Sequence, residues 1–278
     1  MRETWKRFKQ NRFAFVGFLF IALILVVAVF AKWIVPYDPY AMNSISSLAS
    51  PNAQHWFGTD QFGRDIFSRI LYGAQISLKV GIIAVGFSLF FGTMIGIVAG
   101  YFGGKIDQIL SRITDVLFAF PDILLALVIM AILGPSLTNL MIAIGIVYTP
   151  IFARIARGAV LNIRDSLYIE AARSMGVSSF QIMIRHILPN SLAPLIVQVT
   201  LSFAFAILAE AALSFLGLGV SPDIPSWGIM LSEAKDWMEI SWWTAIFPGI
   251  AITLAVLSFN IMGDGLRDAL DPRLRNER

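Results

Sequence analysis

The sequence has no cysteine, so it carries no disulfide frame, no thiolate metal site and no cysteine nucleophile. Charge is scarce: 14% of its 278 residues are Asp, Glu, Lys or Arg, against about 25% in an ordinary soluble domain. There are two histidines, His55 and His186, and no H-E-x-x-H or G-x-S-x-G string, so the common zinc-protease and serine-hydrolase signatures are missing. The one Gly-Lys pair, Gly104-Lys105, has Ala99 where a phosphate loop needs its first glycine and Ile106 where it needs Ser or Thr. That removes a P-loop. No internal repeat of roughly 20–50 residues is visible, which argues against a repeat array.

Apolar residues fill the space left by these absences: 57% of the chain is hydrophobic and the mean hydropathy is +0.75. Such a composition excludes disorder and a water-soluble protein of this length. A helix needs about 20 apolar residues to cross a hydrocarbon core of about 30 Å. Six stretches qualify: Phe13 to Val35, Ile76 to Tyr101, Val116 to Leu133, Ser136 to Phe152, Leu192 to Leu216 and Trp242 to Met262. Backbone polar groups in lipid must be satisfied within the segment, so these are expected to be helices, and strand-length alternation is absent. The expectation is an all-α polytopic membrane protein with six transmembrane helices. Arg2, Lys6, Arg7, Lys9 and Arg12 precede the first stretch as in a signal peptide. That stretch, however, exceeds the roughly 7–15 residues of a secretory core and shows no A-x-A-like site, so it reads as a retained anchor.

With six spans both termini share one side. Sixteen of the 21 Lys and Arg residues fall there, in the N-terminal tail, after span two, between spans four and five, and at the C-terminal end. Lys32, Arg64, Arg69, Lys79 and Lys235 fall on the other. The bias predicts cytoplasmic termini, with Trp33, Tyr37, Tyr40, Trp237, Trp242 and Trp243 in an outer aromatic belt.

Within the spans, Gly92, Gly96 and Gly100 form a ridge that lets another helix approach, either a partner's or the chain's own. Asp115, Asp122 and Glu210 lie in or beside spans three and five. Intramembrane acids are functional candidates by default, and each of these reads either as a structural hydrogen-bonding group or as part of a gate or polar pathway. Asp115 is expected near Arg112 at the interface, Asp122 follows a kinking Pro121, and Glu210 shares a helix face with Ala206 and Ser214. On the outer side, Gly58, Asp60 and Gly63 supply turns. Ile66, Phe67, Ile70 and Leu71 oppose Arg64, Ser68 and Arg69, which predicts a short amphipathic helix on the leaflet.

The connector between spans four and five is the most informative segment. Asp165 is expected to cap a short helix through Glu170-Ala171-Ala172, and Gly176 to end it in a left-handed conformation. Ser178 and Gln181 fit a capping box opening a second short helix, and Pro189 is expected to stop it. The product is a tight helical corner with alanine on its surface and arginines at its flanks, which reads either as a surface suited to close approach by another protein or as a solvated connector.

This connector resembles the EAA motif, E-A-A-x3-G-x9-I-x-L-P, of permease subunits of binding-protein-dependent ABC importers. Glu170, Ala171, Ala172, Gly176, Leu188 and Pro189 match, while His186 stands at the isoleucine position with Ile187 one step later. That variant looks like the one usual in the peptide and nickel branch. Three further stretches resemble the dipeptide/oligopeptide/nickel permease family, C-type subunit: His55 to Asp65 continuing through Leu71 to Ala74, Leu213 to Gly219 with Pro225 to Gly228, and Asn260 to Asp268 with Leu270 to Arg273.

The resemblance implies a type I (MetI-like) core over residues 73–264, after an N-terminal tail, anchor and outer loop over 1–72 and before a cytoplasmic tail over 265–278. It implies that Glu170, Ala171, Ala172, Arg173, Gly176, Leu188 and Pro189 couple to a cytoplasmic ATPase, and that Gly58, Thr59, Asp60, Gly63, Arg64 and Asp65 form an outer loop facing a binding protein. The implied partners are a homologous B-type permease, two ABC ATPase subunits, an extracytoplasmic substrate-binding protein and the bilayer. No nucleic acid, cofactor, metal or catalytic residue is expected. The implied cargo is di- or oligopeptides, with nickel chelates or glutathione as the alternative. An ion-coupled secondary transporter would want paired acids or mirrored broken helices, and neither is seen. An intramembrane enzyme is the remaining alternative.

Overall fold

The structure is a computed structural model that describes residues 2–219 and 223–270. Five helical stretches are long and apolar enough to cross a membrane: α2 (Arg12–Ile34), α3 (Ile66–Phe102), α6 (Leu137–Ile163), a continuous stretch Ser179–Phe215, and α11 (Trp243–Leu270). The Ser179–Phe215 stretch comprises α8 (Ser179–Ile182), a π turn (Met183–Ile187) and α9 (Leu188–Phe215). The remaining helices are α1 (Arg2–Gln10), α4 (Gly104–Phe118), α5 (Asp122–Leu133), α7 (Leu167–Ser174) and α10 (Trp227–Ala234). No strand occurs among the described residues.

The third expected span is corrected. It is not one helix from Val116 to Leu133: α4 and α5 meet at 94° across Ala119–Pro121. Pro121 has no N–H and pushes Phe120 out of the helical region, so the chain must turn there. The 12 residues of α5 rise about 18 Å, short of a full crossing alone, and the described residues hold five long apolar spans, or six when the bent α4–α5 pair is counted as one.

Three other boundaries moved. The short amphipathic helix expected to lie on the leaflet is instead the first turns of α3, because Asp65 caps Ser68 N–H at 2.8 Å and the basic face turns inward. The fourth span runs on to Ile163 through Arg154 and Arg157. The Arg157 Nη2 is neutralised by Asp107 at 2.7 Å, and Arg154 meets Asp115 at 3.4 Å and lies 4.0 Å from the centre of the Phe118 ring. Asp115 therefore pairs with Arg154 rather than Arg112. Pro189 does not stop a helix. The π turn widens the backbone just before it, and side chains take up carbonyls nearby: Asn190 Nδ2 donates to His186 O at 2.6 Å and Ser191 Oγ to Ile187 O at 3.1 Å.

The glycine ridge packs within the chain. Gly92, Gly96 and Gly100 face α6, and a Cβ at Gly96 would meet the Ala153 carbonyl oxygen, with Ala156 Cβ and Arg157 N each at 2.8 Å. Ser88 Oγ adds a hydrogen bond to Gly145 O at 2.8 Å across the same seam. Around this pair, α9 packs on α3 and α6, while α2 and α11 cover the other flank through Ile21, Ile24, Ile252 and Phe259. The start of the chain folds back, with Phe8 buried against Ala14 and Ala269. Of the tail expected over 265–278, residues up to Leu270 continue α11, and 271–278 lie outside the described residues.

Gly96→Ala is expected to destabilise the detergent-solubilised protein by about 1–3 kcal/mol or more, because the contact is with backbone that cannot give way. Gly86→Ala adds the same methyl where nothing lies within 4 Å and should be neutral or stabilise by up to about 1 kcal/mol. Thermal unfolding of the two variants side by side checks this; equal melting temperatures would refute close packing at the seam.

Candidate functional site at the two ends of the bundle

One end of the bundle carries the α7–α8 corner. The cap of α7 is Ser166, not Asp165: Ser166 has extended backbone and its carbonyl accepts from Ile169 and Glu170 N–H at 3.0 and 3.1 Å. Asp165 instead meets Arg164 Nε at 3.3 Å on the surface. Gly176 has φ +76°, and Val177 N–H donates to Ala172 O at 3.1 Å while Gly176 N–H donates to Arg173 O, a Schellman closure. Ser178 Oγ accepts from Gln181 N–H at 3.4 Å, but the Gln181 side chain meets that same hydroxyl rather than Ser178 N–H, so the capping box is half formed.

The corner has an inner and an outer side. Ile169, Ala172, Ile182 and Ile187 join the main core, with Leu188 packed against it. Glu170, Ala171, Arg173, Gly176 and Pro189 face outward, and the Arg173 guanidinium lies 5.1 Å from the centre of the Tyr101 ring. Ala172 thus anchors the corner instead of lining its surface. Three residues that sequence reasoning passed over dominate the outer side: Leu167, Met175 and Phe180 are 84%, 77% and 69% exposed. Their signal was available in the sequence, where each stands as a large apolar residue in a mostly polar connector.

The opposite end carries residues 36–65. Here the sequence-based candidates turn inward. Gly58 and Gly63 take φ of +75° and +73°, and a Cβ on Gly58 would strike Ala49 O at 2.6 Å. Thr59 Oγ1 bonds Ser46 O and accepts from Ala49 N–H. Asp60 Oδ1 accepts from Phe62 and Arg64 N–H, both at 2.9 Å. Arg64 donates to Asp60 at 2.6 Å and to Glu233 of α10 at 2.8 Å, and Arg69 donates to the same Glu233 oxygen at 2.9 Å. All six candidates are buried, and their contacts shape the loop. Trp243, expected in the aromatic belt, is buried too, its Nε1 donating to Thr59 O at 3.2 Å. Glu233 lies 164 residues from Arg69 and no local pattern announced it.

Between the two ends, Glu210 is fully buried and accepts from Ser226, Ser214 and Ser77 at 2.8, 3.0 and 3.2 Å. It ties α9 to α3 and to the cap of α10, as its shared face with Ser214 suggested. Asp122 lies beside Tyr148 in a small crevice between α5, α6 and α9, away from Glu210's serines. Among the described residues no group of three or more His, Asp or Glu could hold a metal ion.

A bundle of long apolar helices with one sharply bent helix pair and a two-helix corner is the architecture of a type I ABC importer permease, a channel-forming membrane subunit. The inward-facing MetNI methionine ABC transporter superposes with a TM-score of 0.62 over 74% of this chain and 98% of that one, at 19% identity. An amino acid ABC transporter with histidines gives 0.56 over 73% and 94%, at 18% identity. The chain belongs to the family of binding-protein-dependent transport system inner membrane components, which matches residues 92–276; the N-terminal TM domain of oligopeptide transport permease C matches residues 1–51. It is 51% identical to the dipeptide transport system permease protein DppC of Alkalihalophilus pseudofirmus over 99% of this chain and 90% of that protein. It is 48% identical to the glutathione transport system permease protein GsiD of Escherichia coli over 98% and 90%. The chain is thus a multi-pass inner-membrane permease subunit of an ABC importer, a family that works with ATPases and binding proteins.

Proposed function

We propose that this chain forms half of the translocation pathway for di- or oligopeptides, delivered by an extracytoplasmic binding protein and driven by ATP hydrolysis in separate subunits. The observation that carries the reading is the 51% identity to a dipeptide permease across nearly the whole chain, joined to an outward-facing corner at the matching EAA residues. Glutathione, itself a peptide, is the second reading, on the 48% identity to the glutathione permease. The assembly is this chain, a homologous B-type permease and two ATPases. Its segments are 1–72 (tail, anchor and loop), 73–264 (the type I core) and 265–278 (the tail).

Both termini and the α7–α8 corner lie in the cytoplasm, because the corner end carries most of the Lys and Arg residues. The ATPase seats on Leu167, Met175 and Phe180, with Glu170, Ala171, Arg173, Gly176 and Pro189 around them and Ala172 and Leu188 holding the corner from within. Burial of such exposed apolar side chains in a partner's cleft gives the contact its strength. Coupling then follows from linkage: ATPase states that hold the corner differently bias the helices to which Ile169, Ala172 and Ile182 are packed. In this reading ATP hydrolysis belongs to the partner subunits, and among the described residues Glu210 bonds to serines and not to Asp122.

The test is isolation of the tagged chain from its native membrane with a photoreactive residue at Met175. We expect a crosslink to an ABC ATPase, and ATP-dependent accumulation of a labelled dipeptide, or of glutathione, by the complex in liposomes. Uptake driven by an ion gradient without ATPase would overturn the proposal.

A further inference from the structure

The loop of residues 36–65 and the start of α3 enclose a cavity of about 160 Å3. Tyr37, Trp56 and Phe67 line it together with Gln54 and Asp65. Trp56 is 62% exposed although its ring packs on Phe67 at 5.1 Å, so a large aromatic face is left to solvent beside the cavity. Asp65 is buried, its Oδ2 accepting from Ser68 N–H and Oγ at 2.8 and 2.7 Å and its Oδ1 meeting His55 Nδ1 at 2.9 Å. These contacts orient the carboxylate, but no Lys or Arg neutralises it. The nearest arginines in sequence, Arg64 and Arg69, are both committed to Asp60 and Glu233. The loop as a whole has Asp38, Asp60 and Asp65 against Arg64 alone.

Aromatic faces attract cations through the ring quadrupole, and a carboxylate beside them adds charge. A cavity of this size admits one long side chain and not a folded ligand. We propose that the Tyr37–Trp56–Phe67 cavity, with Asp65 on its wall, is a socket for a single Lys or Arg side chain projecting from the extracytoplasmic binding protein. This rests on the reading that the loop end faces that protein. It assigns the direct contact to Tyr37 and Trp56 and leaves Gly58 to Arg64 the work of holding the loop in shape.

The full complex is placed in phosphatidylglycerol nanodiscs, which have no amino headgroup to fill the socket, and titrated with the binding protein that co-purifies with it. Trp56→Ala and Asp65→Asn are each expected to raise Kd at least tenfold. Trp56→Phe, which keeps a ring, should stay within threefold. Asn also caps helices well, so Asp65→Asn removes the charge while keeping the start of α3. A photoreactive residue at Trp56 should crosslink to a binding-protein peptide containing a Lys or Arg whose substitution by Ala produces the same loss and adds none to Trp56→Ala.

Unchanged affinity in Trp56→Ala overturns the socket, as do crosslinks that form from the fully exposed Ile45 but never from Trp56. If neither position crosslinks, the loop end does not face the binding protein, and the broader reading of this end fails with the socket.

Discussion

Gly176→Val is expected to abolish ATP-driven uptake while the chain still inserts and accumulates in the membrane. Gly176 sits at φ +76°, a conformation that costs an L residue roughly 1–2 kcal/mol and a β-branched one more. That penalty lowers the ratio of closed to open corner by about 5- to 30-fold or beyond. Nothing lies within 4 Å of a Cβ at this position, so the loss would come from the backbone and not from a clash. The distinction yields an internal control. Gly176→Asn, which tolerates the left-handed region, should keep most uptake, and Gly176→Ala should fall between. Proteoliposome uptake, normalised to the amount of inserted chain, orders the three. A valine variant that transports at the wild-type rate would remove the corner from the coupling mechanism.

Glu233→Ala should be the most destabilising single change at the loop end. Glu233 is the one carboxylate to which both Arg64 and Arg69 donate, and those arginines are 3% and 1% exposed. Removing it leaves buried positive charge facing only Asp60, a situation that costs about 3–5 kcal/mol. The Arg69 Nη1 has no hydrogen-bond partner among the described residues, so the guanidinium depends the more on Glu233. A fall in melting temperature on the order of 10 °C in detergent is expected for a chain of this size. Glu233→Gln keeps an acceptor and should fall less. Because the cluster joins residues 60–69 to α10, its loss should also speed proteolysis of the 36–65 loop. A Glu233→Ala variant that melts with the wild type would mean the ion cluster contributes no stability.

The spans and the EAA corner were legible because each is a local property. Hydrophobic length decides insertion residue by residue, and the left-handed Gly176 and the Ser178 cap are written into a few consecutive positions. The errors share one cause. The pattern from Asp65 to Leu71 has a basic face, and a basic face opposite water looks the same in sequence as one opposite Asp60 and Glu233. Pro121 was read as a kink when the chain in fact turns through 94°, and Pro189 was read as a stop when a π turn carries the helix past it. Proline marks where regular hydrogen bonding must change, but surrounding packing chooses the form of the change.

By itself, then, the sequence determined that this chain lives in a bilayer, roughly where it crosses, and which connector folds into a short helical corner, since these depend on composition and short-range geometry. Only the tertiary structure decided that the glycine ridge serves the chain's own α6, that the loop candidates are interior struts, and that Glu233 completes their charges. Those outcomes depend on which distant side chain fills the space opposite, and no local pattern encodes that partner.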